Sequence, residues 1–109
     1  MSSAAAPPFR VAVIGGARAS EAECKAAEQL GSELATAGAV IICGGHGGVM
    51  EAVSRGANKA GGLTVGILPG SDAEAANPWI TLPLPSGMGE ARNALVVRTA
   101  EAVVAVGGE

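Results

Sequence analysis

The sequence predicts an α/β fold: a Rossmann-like, doubly wound, mostly parallel sheet with helices on both faces. Short apolar runs alternate with stretches of helical periodicity along a chain of 109 residues, the size of one domain. The runs are continuous in Val and Ile instead of alternating with polar residues, as expected of strands covered on both faces. The first, second and last runs each end in paired or clustered glycines, the strand-to-turn signature of sheets that bind ligands at their carboxyl edge.

Taken in order, residues 1–8 (MSSAAAPP) read as a disordered tail and residues 9–109 as one domain. Phe9 to Ile14 is the first strand. The first helix should start at Ser20, because Ser20 and Glu23 have the spacing of a capping box, in which hydroxyl and carboxylate each satisfy a free N–H. Ala27, Leu30, Leu34 and Ala37 would form its buried face, and Gly38 its stop. Val40 to Cys43 is the second strand. The second helix runs from about Gly48 to Ala60, with Met50, Val53 and Ala57 toward the sheet and Gly61-Gly62 at its end. Leu63 to Leu68 is the third strand. A third helix begins near Gly89 or Glu90 and carries Ala91, Leu95 and Val96; Ala102 to Val106 is the fourth strand. Gly31 and Gly56 fall inside helices, each at a cost of about 1 kcal/mol relative to Ala. Close helix–sheet contact is the expected reason.

Two segments depart from this alternation. Pro69 to Gly89 holds three further prolines and no helical pattern. Connections this long are uncommon and often functional, so it is expected to be a wall or lid over the carboxyl edge, with a short strand around Trp79 to Leu82. The last strand runs into Gly107-Gly108-Glu109, where a covering helix would normally follow. The expectation is a shortened chain, or a partner subunit over the sheet beside the first strand.

Composition narrows the function classes. The net charge is −3 and no basic run is present, which argues against a nucleic-acid partner. With Phe9 and Trp79 as the aromatic residues, the core must be built from Ala, Val, Leu and Ile. Such a core is thin, which favours burial against a second copy and hence a homo-oligomer, a dimer first. No apolar stretch is long enough to span a membrane and the start lacks a basic, apolar leader, so a cytoplasmic location is expected. Cys24 and Cys43 lack metal-motif spacing and read as reduced thiols, Cys43 as a small core residue.

The most informative stretch is GGHGGVMEAVSRGA, Gly44 to Ala57. An apolar strand, a glycine turn and a helix start make a phosphate site: glycines let the backbone approach an anion, and the helix N–H groups and dipole favour negative charge there. Gly44, Gly45, Gly47 and Gly48 are the candidate cradle, with Gly15, Gly16, Gly107 and Gly108 brought to the same edge by right-handed crossovers. His46 either donates to a phosphate and titrates near neutral pH, or is an exposed turn residue. No second His or carboxylate cluster accompanies it, so no metal site is expected. Arg18 is either a bidentate anion ligand or a solvated surface residue. Arg92 and Asn93, beside Gly87 and Gly89 at a helix start, are binding candidates; the alternative for Arg92 is a surface ion pair, for example with Glu90. Glu51 is placed by the helix dipole or contacts a ribose hydroxyl. Trp79 either stacks on a flat ring or plugs the core.

With these motifs in place the chain resembles the Rossmann-type superfamily that contains the Lonely Guy cytokinin-activating proteins, the small DprA-related bacterial proteins and the molybdenum-cofactor carrier proteins. The resemblance rests on Val13-Ile14-Gly15-Gly16, on Cys43 to Ala57, on Thr64 to Gly70, on Asn77-Pro78 and on Ser86 to Gly108. The sequence GMGEARN makes it nearest the DprA-related and carrier groups. Lonely Guy enzymes carry a second motif, PGGxGTxxE, whose Thr binds phosphate and whose Glu serves glycosidic cleavage; here the chain stops at Val106-Gly107-Gly108-Glu109. The resemblance implies a dimer, an Arg92 that binds the ligand's phosphate or supports catalysis, and a molybdenum cofactor as bound cargo. It does not support the lysine decarboxylase label attached to Lonely Guy relatives.

Two functional readings follow. The first is a carrier or sensor that binds a small phosphorylated ligand, a nucleotide or a molybdopterin-type cofactor. The second is a phosphoribohydrolase acting on nucleoside 5′-monophosphates, which needs a positioned carboxylate; Glu51 and Arg92 are its weak catalytic candidates.

Overall fold

The structure, a computed structural model, describes residues 7–107. Residues 1–6 of the expected tail, and Gly108 and Glu109, lie outside the described residues. The elements are β1 (Arg10–Ile14), α1 (Glu21–Thr36), β2 (Val40–Cys43), α2 (Val49–Lys59), β3 (Thr64–Leu68), β4 (Leu82–Pro85), α3 (Arg92–Arg98) and β5 (Ala102–Ala105). The five strands form one parallel sheet in the order β4-β3-β2-β1-β5. This is the doubly wound α/β arrangement that the sequence predicts.

Side chains alternate across each strand, so each strand feeds two cores. Val11, Val13 and Ile41 pack with Ala27 of α1 and Val49, Val53 and Ala57 of α2. Ala12, Ile42, Val65 and Ile67 pack on the opposite face with Val96 of α3. Two helices therefore cover one face, and the short α3 covers part of the other. Val103 of β5 and Leu82 and Leu84 of β4 remain exposed at the two edges.

Ser20 caps α1 as its spacing predicts: Glu23 N–H donates to Ser20 Oγ (3.1 Å), and Ser20 N–H donates to Glu23 Oε1 (2.9 Å). Ala37, expected on the buried face, is instead the exposed C-cap residue, and Gly31 is buried in its place. The reason lies between helices, not between helix and sheet. A Cβ on Gly31 would overlap the Val53 carbonyl oxygen of α2, and one on Gly56 would overlap the Glu28 carbonyl oxygen of α1. The two glycines let α1 and α2 touch backbone to backbone.

The short strand expected near Trp79 forms three residues later, as β4. It has one neighbour, β3, and this edge position tolerates Pro83 and Pro85, which cannot donate to a ladder. Pro69–Gly89, expected as a wall or lid, packs beside the carboxyl ends of β2 and β3, bonding Gly45 and Leu68. Gly87 and Gly89 N–H donate to the Gly70 and Pro69 carbonyls (both 2.9 Å), folding the two ends of the segment against each other. No helix among the described residues is long and apolar enough to cross a membrane.

Candidate functional site

The site begins where β2 stops. Gly45 (φ 83°) and Gly48 (φ 65°) are left-handed, and a Cβ on Gly48 would meet the backbone of Gly16 and Ala17. Val49 N–H donates to the Gly16 carbonyl (3.0 Å), fastening this loop to the turn after β1. On the other side stands Asn77. Its backbone N–H donates to the Gly45 carbonyl (2.8 Å), and its Nδ2 donates to the carbonyls of His46 (2.8 Å) and Gly45 (3.3 Å). Asn77 Oδ1 accepts from Trp79 N–H (3.0 Å), which fixes the amide plane. The carbonyls of Gly45 and His46 are thus spent on Asn77, while the N–H groups of His46, Gly47 and Gly48 donate to nothing among the described residues. They adjoin the first turn of α2, where the Val49 N–H is taken by Gly16 and those of Met50 and Glu51 have no partner among the described residues.

Arg92 arrives from the opposite face at the start of α3. It is 6% exposed. Its Nη1 donates to the carbonyls of Gly44 (2.9 Å) and Ile67 (3.1 Å), at the ends of β2 and β3, while its Nε has no partner. Gly44 is glycine because a Cβ there would run into the guanidinium. The surface ion pair considered for Arg92 is absent among the described residues: Glu90 Oε1 instead accepts from Asn93 Nδ2 (3.2 Å). A buried cation with only neutral partners is left to be compensated by an anion.

These parts border one cleft of about 500 Å³. It takes Gly15 from the turn after β1, Gly44 and His46 from the glycine loop, and Arg92 and Asn93 from α3. Of the other sequence candidates, Gly45, Gly47 and Gly48 belong to the same loop and Gly16 is bonded to it, but none of the four lines the cleft. Arg18 is exposed and does not line the cleft. Glu51 is half-buried in the first turn of α2, also outside the lining. Gly107 lies against the Glu23 side chain at the start of α1, and Trp79 is half-buried away from the cleft. Among the described residues no three His, Cys, Asp or Glu side chains gather into a group that could hold a metal.

Sequence reasoning named Asn77 and Glu90 without placing either at the site, and passed over the apolar wall of Ile14, Met50 and Val97. For Asn77 the available signal was an Asn-Pro pair in a loop too long to be idle; for Glu90 it was a carboxylate two residues from Arg92. Cys43 sits fully buried beneath the loop, with Sγ 3.7 Å from Ser54 Oγ. Burial pushes its thiol up from the ordinary range, in keeping with a core residue.

The SLOG cluster4 family (LDcluster4) model matches residues 8–109. A relative from Archaeoglobus fulgidus is 38% identical over 100 residues, covering 92% of this chain and 66% of that protein. The molybdenum cofactor binding protein from Rippkaea orientalis is 36% identical at a TM-score of 0.92, covering 96% of this chain and 66% of the other. The molybdenum cofactor carrier protein from Chlamydomonas reinhardtii is 32% identical at a TM-score of 0.86, covering 94% and 64%. The chain thus spans just under two thirds of the length of the proteins it matches.

Proposed function

The chain belongs to the SLOG cluster4 family, and from that premise we propose that it is a carrier or sensor. It binds a small phosphorylated ligand, a nucleotide or a molybdopterin-type cofactor, and does not turn it over. The observation that carries the reading is Arg92: a buried guanidinium without an acidic partner among the described residues, on the cleft that the glycine loop also lines. A phosphate there would meet positive charge on one side and, on the other, the loop of His46, whose N–H and those of Gly47 and Gly48 beyond the lining have no partner among the described residues. The cleft's volume is in the range of small-molecule sites, roughly 300–1,000 Å³. The similarity to a molybdenum cofactor binding protein and a carrier protein points to a phosphorylated pterin as the cargo.

The residues present fit such a cargo. Its phosphate end would be held by the loop N–H groups and Arg92, and its ring would lie against Ile14, Met50 and Val97. Bound molybdenum cofactor would bring oxo-transfer chemistry that belongs to the cargo. This chain's part is to neutralise the phosphate and shield the ring. A dimer belongs to the same reading, since Val103 (45% exposed) on the edge strand β5 leaves apolar surface that a second copy would cover.

The test is incubation of the purified chain with AMP, followed by native mass spectrometry. A retained, intact AMP adduct is the expected result. Release of adenine and ribose 5-phosphate, or no adduct at millimolar ligand, would overturn the carrier reading.

A further inference from the structure

We propose that Glu90 reads the ring edge of the ligand and selects a 2-amino-4-oxopyrimidine, the ring of guanine and of pterins, over adenine. This rests on the phosphate-site reading above. The cleft carries two opposed chemistries. Its glycine loop and Arg92 offer donors and positive charge; the start of α3 offers acceptors. Glu90 is exposed, lines the cleft together with the likewise exposed Asn93, and is bonded to no Lys or Arg among the described residues. Asn93 Nδ2 donates to its Oε1 (3.2 Å), which steadies the carboxylate and leaves Glu90 Oε2 and Asn93 Oδ1 without a donor among the described residues. The 3₁₀ turn Gly89–Ala91 presents Glu90, and it runs directly into α3, so the carboxylate and Arg92 stand on one continuous turn of chain.

A carboxylate only accepts hydrogen bonds. The ligand group it meets must therefore present donors and lie away from the phosphate, which Glu90 repels; ribose hydroxyls, common to GMP, IMP and AMP, would give no preference among the three, so a base preference is the signature of a ring edge. Guanine and pterins present a ring N–H and an adjacent exocyclic amino group side by side, a two-donor edge matched to two carboxylate oxygens. Adenine presents a ring nitrogen lone pair at that edge and gains no such pair of bonds, so AMP is held through its phosphate alone and more weakly than GMP. Hypoxanthine keeps the ring N–H and lacks the amino group, so it is intermediate. The apolar wall of Ile14, Met50 and Val97 suits any flat ring and does not discriminate among them. The discrimination falls to Glu90, as in sites built to bond one polar group, which reject the analogue that lacks it.

The experiment is calorimetric titration of the chain and of Glu90→Gln with GMP, IMP, AMP, ribose 5-phosphate and 6-hydroxymethylpterin phosphate. The wild-type chain should bind GMP about ten- to a hundredfold tighter than AMP, the range for bonds to a charged group, with IMP between. In Glu90→Gln the GMP-to-AMP ratio should collapse toward one, with thermal melting used to show that the variant is folded. Tighter binding of the pterin phosphate than of GMP would assign the ring to a pterin, and the reverse order to a guanine nucleotide. Binding of ribose 5-phosphate with equal affinity for GMP, IMP and AMP would overturn the ring-edge role and leave the phosphate site standing. A preference that survives in Glu90→Gln would also overturn it. Failure of ribose 5-phosphate and every nucleotide to bind would remove both readings.

Discussion

Arg92 Nη1 donates to the carbonyl of Gly44 at 2.9 Å, so a guanidinium from the start of α3 holds the first residue of the glycine loop. The same nitrogen also holds Ile67 at the end of β3. Arg92 is thus a strut, and in the proposed site it is also the charge, so its removal should be read in both ways. Arg92→Ala should weaken binding of a phosphate ligand by about 1.5–3 kcal/mol, the range for hydrogen bonds to charged groups. It should also lower stability by about 1–3 kcal/mol, because two buried carbonyls lose their donor. Calorimetry and urea unfolding separate the two. An unchanged affinity in a folded variant would exclude Arg92 from the site.

Asn77 supports the loop from the other side. Asn77→Asp replaces a donor with an acceptor opposite the carbonyls of His46 and Gly45 and should be worse than Asn77→Ala, which merely leaves them unpaired. We expect a stability loss of about 1–3 kcal/mol in the alanine variant, with weaker ligand binding. Equal stability of wild type and aspartate variant would show that the latch is idle.

The helix pair depends on two missing methyl groups. Gly31→Ala and Gly56→Ala each gain about 1 kcal/mol of helix propensity. Each also drives a Cβ into a carbonyl oxygen of the facing helix, Val53 or Glu28. Overpacking against backbone costs about 1–3 kcal/mol or more, so both variants should be destabilised on balance. A higher unfolding midpoint for either would mean that the helices move apart easily.

Glu28 joins the two helices on their outer side, accepting from Lys59 Nζ (3.2 Å) and Arg55 Nε (3.1 Å). Lys59 first, then Arg55, hold its carboxyl below the ordinary range. A folded-state value below the unfolded one means that stability from this group is present above the ordinary carboxylate range. It is lost as pH falls through that range toward the folded value. Glu28→Gln should therefore flatten the acid limb of a stability-against-pH curve, and more so at low salt. Superimposable acid limbs would show that the exposed cluster contributes nothing.

What the sequence made legible was local. The Val and Ile runs gave β1, β2, β3 and β5 nearly to the residue, and Ser20 with Glu23 gave the start of α1, because each signal lies within a few neighbours. The glycine loop and Arg92 were legible as candidates for one site for the same reason, and Gly44, His46 and Arg92 border one cleft. The partners were not. Gly31 against Val53, Asn77 against His46 and Arg92 against Ile67 are pairings across elements, and spacing along the chain carries no trace of them. Pro69–Gly89 was ambiguous for a related reason. Its prolines exclude a helix, yet nothing local distinguishes a lid from a brace that turns inward through one asparagine.

The most direct test of the central claim is an amide NMR titration of the chain with ribose 5-phosphate. The account predicts that the largest shifts fall on the N–H groups of His46, Gly47, Gly48 and Met50, with the Arg92 side-chain signals moving in step. Shifts absent from that loop, or confined to the Lys59 and Arg55 surface of α2, would contradict it.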